Sequence, residues 1–175
     1  SFSLTASFLT SEYAEWVCSI FNDAFVALLD SVHSGLPANP ADKNIAFFRT
    51  PADLVYPIGA SLAFGDSGLF VQCQNGATGC EAGANGVPGT TTTCVGPAAL
   101  AGTGMEIIDS NNCESSSPRG GSTDWFVLRG NVQPGELMAL RLAIWDTSDG
   151  LWDSLVLLDA FRWSVETVEP GVTRE

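Results

Sequence analysis

The sequence predicts an all-β chain, a two-sheet antiparallel β-sandwich carrying a disulfide-containing loop insert, and three observations predict it. Apolar and polar residues alternate in short runs. Glycine and proline, 18 and 9 of 175 residues, fence those runs at close intervals. Four of the five cysteines crowd into one polar stretch, from Cys73 to Cys113. A chain of this length reads as one domain and buries ~70% of the surface it exposes when unfolded. Its 45% hydrophobic against 15% charged residues supply a core and exclude a disordered chain.

The first strand sets Phe2, Leu4, Ala6 and Phe8 on one side and Ser3, Thr5 and Ser7 on the other, the pattern of a half-buried strand. Residues 12–31 read two ways, and periodicity alone favours a helix. Tyr13, Val17, Ile20, Ala24 and Leu28 fall at helical spacing, while Phe25–Leu29 also fits a strand buried on both faces. Short strands follow at Ile45–Phe48, Ser61–Phe64, Leu69–Cys73, Met105–Ile108 and Trp125–Arg129, with a turn at Gln133–Glu136. Leu140, Leu142 and Ile144 alternate with Ala139, Arg141 and Ala143, and a second alternating run extends from Leu155 to Trp163. These two strands flank the loop Asp146–Ser154 and are expected to pair antiparallel. The domain organisation is one sandwich over 1–168, with the insert at about 73–124 and a linker or tail over 169–175.

Twenty Asp and Glu oppose seven Lys and Arg, for a net charge of −13. A nucleic-acid surface needs a basic stripe, and a chain with the single lysine Lys43 has none, so nucleic acid is excluded as a partner. Cations are the natural partners of this surface, and an acidic, lysine-poor exterior suits secretion. No apolar run reaches the length of a membrane span, which predicts no membrane insertion. The chain opens at Ser1 inside a strand, without Met or a signal segment, and so reads as a processed or excised piece. With no C-x-x-C and one histidine, His33, a zinc cage or thioredoxin-type site is not expected. Disulfides in an oxidising compartment are, and among fifteen two-bridge schemes the pairs Cys73–Cys80 and Cys94–Cys113 each close a local loop, leaving Cys18 over.

The loop Asp146–Ser154 carries oxygen side chains at six of nine positions, with carboxylates at Asp146, Asp149 and Asp153. Such a loop suits Ca²⁺, which takes six to eight oxygens at flexible geometry, or it is a solvated turn closed by Asx-type hydrogen bonds. It is not an EF-hand, since glycine falls fifth and no glutamate closes the loop. A second cluster holds Glu12, Glu15, Asn22, Asp23 and Asp30 among Tyr13, Trp16, Phe21 and Phe25. There Asn22 and Asp23 need either backbone donors or a cation, and Asp159 poses the same question in an apolar strand. The candidate metal ligands are Glu12, Asn22, Asp23, Asp146, Asp149 and Asp153. Trp125 and Trp152 are candidates for stacking on sugars. With no Gly-x-Ser-x-Gly, no H-E-x-x-H and His33 in a surface loop, no enzyme is expected.

Several stretches are similar to one known family. They are Phe8-Leu9-Thr10-Ser11-Glu12-Tyr13-x-Glu15-Trp16-Val17, Phe21-Asn22-Asp23-Ala24-Phe25, Gly102-Thr103-Gly104-Met105-Glu106, Gly120-Gly121-Ser122-Thr123-x-Trp125, and the run from Pro134-Gly135-Glu136 through Asp146-Thr147-Ser148-Asp149 to Phe161-Arg162-Trp163. Together they resemble the "choice-of-anchor" domains of bacterial surface proteins, common in myxobacteria, over about residues 2–164. The resemblance implies an exported, jelly-roll-like sandwich, usually one module of a larger protein. It implies a strand over Phe21–Leu29 and sets Asn22-Asp23 and the Asp146–Asp153 loop in one recurring pattern, which favours calcium. It supplies no substrate. The expected function is a non-enzymatic extracellular or cell-surface module that binds Ca²⁺ and acts in adhesion or matrix contact. The alternatives are a fibre subunit assembled with copies of itself by strand or edge complementation, and a calcium-dependent lectin for a surface polysaccharide.

Overall fold

The computed structural model describes residues 1–13, 16–17, 21–60, 69–73, 76–77, 91–92, 94–106 and 120–174. Among the described residues the regular elements are strands and a 3₁₀ turn at Ala98–Leu100. In chain order they are β1 (Phe2–Thr10), β2 (Ala24–Asp30), β3 (Phe47–Arg49), β4 (Val55–Gly59), β5 (Phe70–Cys73), β6 (Gly76–Ala77), β7 (Thr91–Thr92), β8 (Gly121–Thr123), β9 (Phe126–Gly130), β10 (Ala139–Trp145), β11 (Ser154–Trp163) and β12 (Gly171–Arg174). The all-β class therefore holds. One hydrogen-bonded path joins ten strands in the order β10-β2-β4-β3-β12-β9-β1-β8-β5, with β11 on the other edge of β1, and β6 pairs β7 apart. The sheet is mixed, because β12 pairs parallel with β3.

The path turns a corner at β4, whose Val55–Pro57 half pairs with β3 while Ile58 and Gly59 pair with β2. The two arms then face each other. Phe25, Ala27 and Leu29 of β2 share one core with Phe2, Leu4, Ala6 and Phe8 of β1 and with Phe126 and Leu128 of β9. A Cβ on Gly130 would meet Leu29 Cδ2 at 2.7 Å, so the arms touch there with no room for a side chain. The segment is a strand and not a helix, and burial alternates strictly along β2, so one face is fully buried and the other half-buried where both were expected to be buried.

β1 is not half-buried. It pairs along one edge with β11 and along the other with β9 and β8, and Thr5 and Ser7 are buried as well as the apolar face. Ser7 Oγ donates to Thr123 O at 3.2 Å, and Thr123 Oγ1 accepts the Phe8 N–H at 2.9 Å, so the polar face is covered by groups that satisfy it. Leu9 joins Leu100, Met105 and the half-buried Leu155 in a small second cluster.

Three further expectations are corrected. β10 and β11 do not form a hairpin: β10 pairs with β2 and β11 with β1, so the loop between them crosses from one arm to the other. Alternation assigns faces and leaves partners open, and the N-terminal strands take both. The disulfide is Cys73–Cys94, with Cα atoms 5.4 Å apart across 21 positions, in place of Cys73–Cys80 and Cys94–Cys113. Val95 N–H donates to Val71 O at 2.8 Å, so backbone pairing carries Cys94 to the end of β5 and overrides contour distance. Cys18, Cys80 and Cys113 lie outside the described residues, as do Glu15, Ser61–Phe64 and 107–108; Met105 and Glu106 form no strand.

The third correction concerns 169–175. Residues 171–174 form β12, antiparallel to β9 and parallel to β3, with Val172 buried in the core. Gly171 has φ +120°, and a Cβ there would lie 2.8 Å from the Phe47 ring, so glycine is required as the strand enters. The approach is secured by Asn131, whose Nδ2 donates to Pro37 O at 2.9 Å and Val168 O at 2.7 Å while its Oδ1 accepts the Val168 N–H at 2.9 Å. Deleting 169–175 is expected to lower the thermal midpoint by roughly 5 °C or more, since burial of a valine alone is worth about 2 kcal/mol. A linker would leave the midpoint unchanged, and calorimetry of the truncated chain distinguishes the two.

Candidate metal centre

Four strand ends meet at one pole. The register Thr10↔Ser154 puts the exit of β1 beside the entry of β11, and Ala24↔Trp145 puts the entry of β2 beside the exit of β10. The residues just beyond these ends are Ser11 and Glu12, Asp153, Asp23, and Asp146. Ser11 N–H donates to Asp153 O at 3.0 Å, and Ser154 Oγ donates to Asp23 Oδ2, which ties the β1/β11 arm to the β2/β10 arm. Carboxylate oxygens of Glu12, Asp23 and Asp146 consequently lie within 4.8 Å of one another.

Glu12 is 1% exposed and Asp23 2%. Glu12 Oε2 accepts the Asp23 N–H at 2.6 Å. Glu12 Oε1, Asp23 Oδ1 and Asp146 Oδ1 are buried and have no hydrogen-bond partner among the described residues. Neither ion pair among the described residues involves them: Lys43 neutralises Asp30 at 2.9 Å, and Arg49 bonds Asp53 at 2.6 Å. Burial pushes the Glu12 carboxyl up to about 8, opposed by the Asp23 N–H and reinforced by the charges of Asp23, Asp146 and Asp149. Burial likewise lifts Asp23 to about 6, with the Ser154 hydroxyl opposing and Asp146, Asp149 and Asp153 adding. Asp146 is raised too, by burial first and then by Asp149.

An ionised carboxylate withdrawn from water without a counter-charge costs several kcal/mol. Protonation or a cation relieves that cost. Oxygens held at the Ca²⁺ bond length of 2.3–2.6 Å from a common ion lie at most about 5.2 Å apart. The triad therefore fits calcium in spacing and in donor type.

Of the six candidate ligands, three come together: Glu12, Asp23 and Asp146. Asp153 stands beside them on the wall of a cavity of about 290 Å³ that Asp23, Asp146, Ser154, Trp145 and Trp152 also line. Asp149 is exposed; its Oδ1 accepts the Leu151 N–H at 3.0 Å in an Asx-type turn, and its own N–H donates to Asp146. The Asx-type turn is thus present at Asp149, and Asp146 accepts a backbone N–H from the same loop while its Oδ1 stays buried. Asn22 is half-buried beside Gly59 and outside the triad. Asp159 is exposed and accepts the Ala160 N–H at 2.7 Å, so its place in an apolar strand leaves no carboxylate buried and unpaired. Trp125 does not line this cavity. Ser154 and Trp145 were not among the candidates, and the signal for both is strand register, which composition does not carry.

No family model, no curated protein and no solved structure matches the chain.

The raised carboxyls set a pH dependence for the ion-free protein. Their native-state values exceed the unfolded ones, 4.5 for Glu12 and 3.8 for Asp23, so the stability they contribute is complete below pH 3.8 and is lost as pH rises through about 6 and about 8. In chelator, the thermal midpoint is expected to fall between pH 5 and 9, and Glu12→Gln to flatten the upper part of that fall. A midpoint in Glu12→Gln with the wild-type slope contradicts the assignment.

Proposed function

We propose that this chain is a non-enzymatic, calcium-binding extracellular or cell-surface module acting in adhesion or matrix contact. The observation that carries the reading is the convergence of Glu12, Asp23 and Asp146, whose carboxylates approach within 4.8 Å of one another and each of which keeps one buried oxygen without a hydrogen-bond partner among the described residues. A bound Ca²⁺ offsets two of their three charges and joins the two arms of the sheet at their shared pole. Three features support an exported setting: the Cys73–Cys94 disulfide, the −13 charge, and the resemblance to choice-of-anchor domains. Extracellular calcium modules work at Kd values of about 10⁻⁴ to 10⁻³ M, a range suited to a site with few protein ligands.

A second reading, a subunit that assembles with copies of itself by edge complementation, is favoured by the two outermost strands. Among the described residues β10 pairs only with β2 and β11 only with β1, so each has an open edge. β11 leaves Leu157, Leu158, Phe161 and Trp163 exposed, the last at 64%. Open apolar edges template further strands.

Calcium at a hundredfold excess over Kd stabilises by about 2.7 kcal/mol, which for a chain of this size raises the thermal midpoint by roughly 5–10 °C over chelator. Asp146→Asn and Asp23→Asn are expected to abolish that rise, and equal midpoints in wild type with and without Ca²⁺ overturn the calcium reading. For the second reading, light scattering is expected to show growth of oligomers with protein concentration, and a monomer throughout removes it.

A further inference from the structure

We propose that the cavity beside the triad is a saccharide subsite, in which a neutral sugar places two adjacent hydroxyls on the calcium ion and its apolar ring face on Trp152 or Trp145. The inference rests on the calcium reading above and extends it to a ligand.

The geometry of the three carboxylates sets a direction. Asp23 and Asp146 belong both to the triad and to the cavity wall, whereas Glu12 lies behind them and does not line the cavity. An ion among the three has protein on its inner side and the cavity on its outer side. Three carboxylates supply three to six of the six to eight oxygens that Ca²⁺ takes, so positions remain for ligand oxygens. Those positions face outward.

Two tryptophans flank that opening. Neither belongs to either hydrophobic core cluster, and Trp145 is 47% exposed. Trp152 has φ +68° and Ser148, four residues before it, φ +86°. The left-handed region is a true outlier for a bulky side chain, and such strain persists where the surrounding structure holds it. Here it sets Trp152 against the cavity.

Size and charge narrow the ligand. A volume of about 290 Å³ sits at the low end of small-molecule sites, which run ~300–1,000 Å³, and suits one sugar ring. Asp153 lines the cavity and Asp149 is close enough to act on Asp23, so after Ca²⁺ neutralises two of the three triad charges the field there is still negative. That field disfavours phosphates and carboxylates and admits a neutral polyol. A flat indole face covers the C–H face of such a ring, and its N–H remains available to a hydroxyl.

The test uses the full chain loaded with Ca²⁺, against a glycan array and against methyl α-mannoside, methyl α-fucoside and methyl β-galactoside by calorimetry. Sugar binding that chelator abolishes is expected. Trp152→Gly keeps the left-handed backbone at no steric cost and removes the ring; it is expected to weaken sugar binding about tenfold while leaving Ca²⁺ affinity, read by terbium luminescence and displacement, unchanged. Trp145→Ala provides the same readout should Trp152→Gly fail to fold. Full Ca²⁺ binding with no chelator-sensitive sugar binding overturns the saccharide subsite and leaves the calcium reading standing. Absence of Ca²⁺ binding overturns both. Sugar binding that survives removal of both tryptophans places it elsewhere and overturns the proposal.

Discussion

Everything in this fold hangs on β1 being hydrogen-bonded along both of its edges. Nine residues near the start of the chain pair with β11 on one side and with β9 and β8 on the other, so segments more than a hundred positions away are held in register by one strand. The core follows from it, because Phe2, Leu4, Ala6 and Phe8 form the floor on which β2 lands. The pole where the carboxylates meet follows too. Glu12 is where it is because β1 ends at Thr10, two residues before, against Ser154.

The longer strands were legible because period-2 alternation sustained over seven or more residues matches a pleated strand and no helix. β10 and β11 could be placed to within a residue or two in this way, and their partners could not; β2, whose apolar residues also fall at helical spacing, could not be told from a helix by its pattern. Alternation is a statement about faces, and Leu140–Ile144 pairs as well with β2 as with β11 on that criterion. Ser3, Thr5 and Ser7 looked like a wet face because hydroxyls usually face water, yet Thr123 and its neighbours satisfy Ser7 and the backbone beside it indoors. β12 was illegible for a different reason. With one apolar residue among Gly171, Val172, Thr173 and Arg174, it is a strand by virtue of its neighbours and not of its own pattern.

The candidate centre divides along the same line. Asp23 between aromatic residues stood out through context, since a carboxylate in such surroundings is costly until something pairs with it, whereas Asp146 stood out only as one of three carboxylates in an oxygen-rich loop. Which acids of the crossing loop turn inward depends on the phase of the strands that bracket it. Asp146 follows β10 directly and inherits its position from the ladder with β2; Asp149 lies at the tip and answers to a local turn. The disulfide shows the same precedence of pairing over proximity along the chain, with Cys73 passing over its near neighbour in sequence for Cys94.

The position of β12 has a consequence for how the protein is made. It lies between β9 and β3, and in the order of the sheet it is the link that joins the β3-β4-β2-β10 half to the β9-β1-β11 half. At about 5–20 residues per second, synthesis separates residue 1 from residue 174 by roughly 9–35 s. Until then β9 and β3 lack the strand that unites them, and the nascent chain has no way to complete its sheet. A chain built in this order keeps its sheet open until β12 emerges from the ribosome, so its two halves cannot be joined cotranslationally before that strand appears.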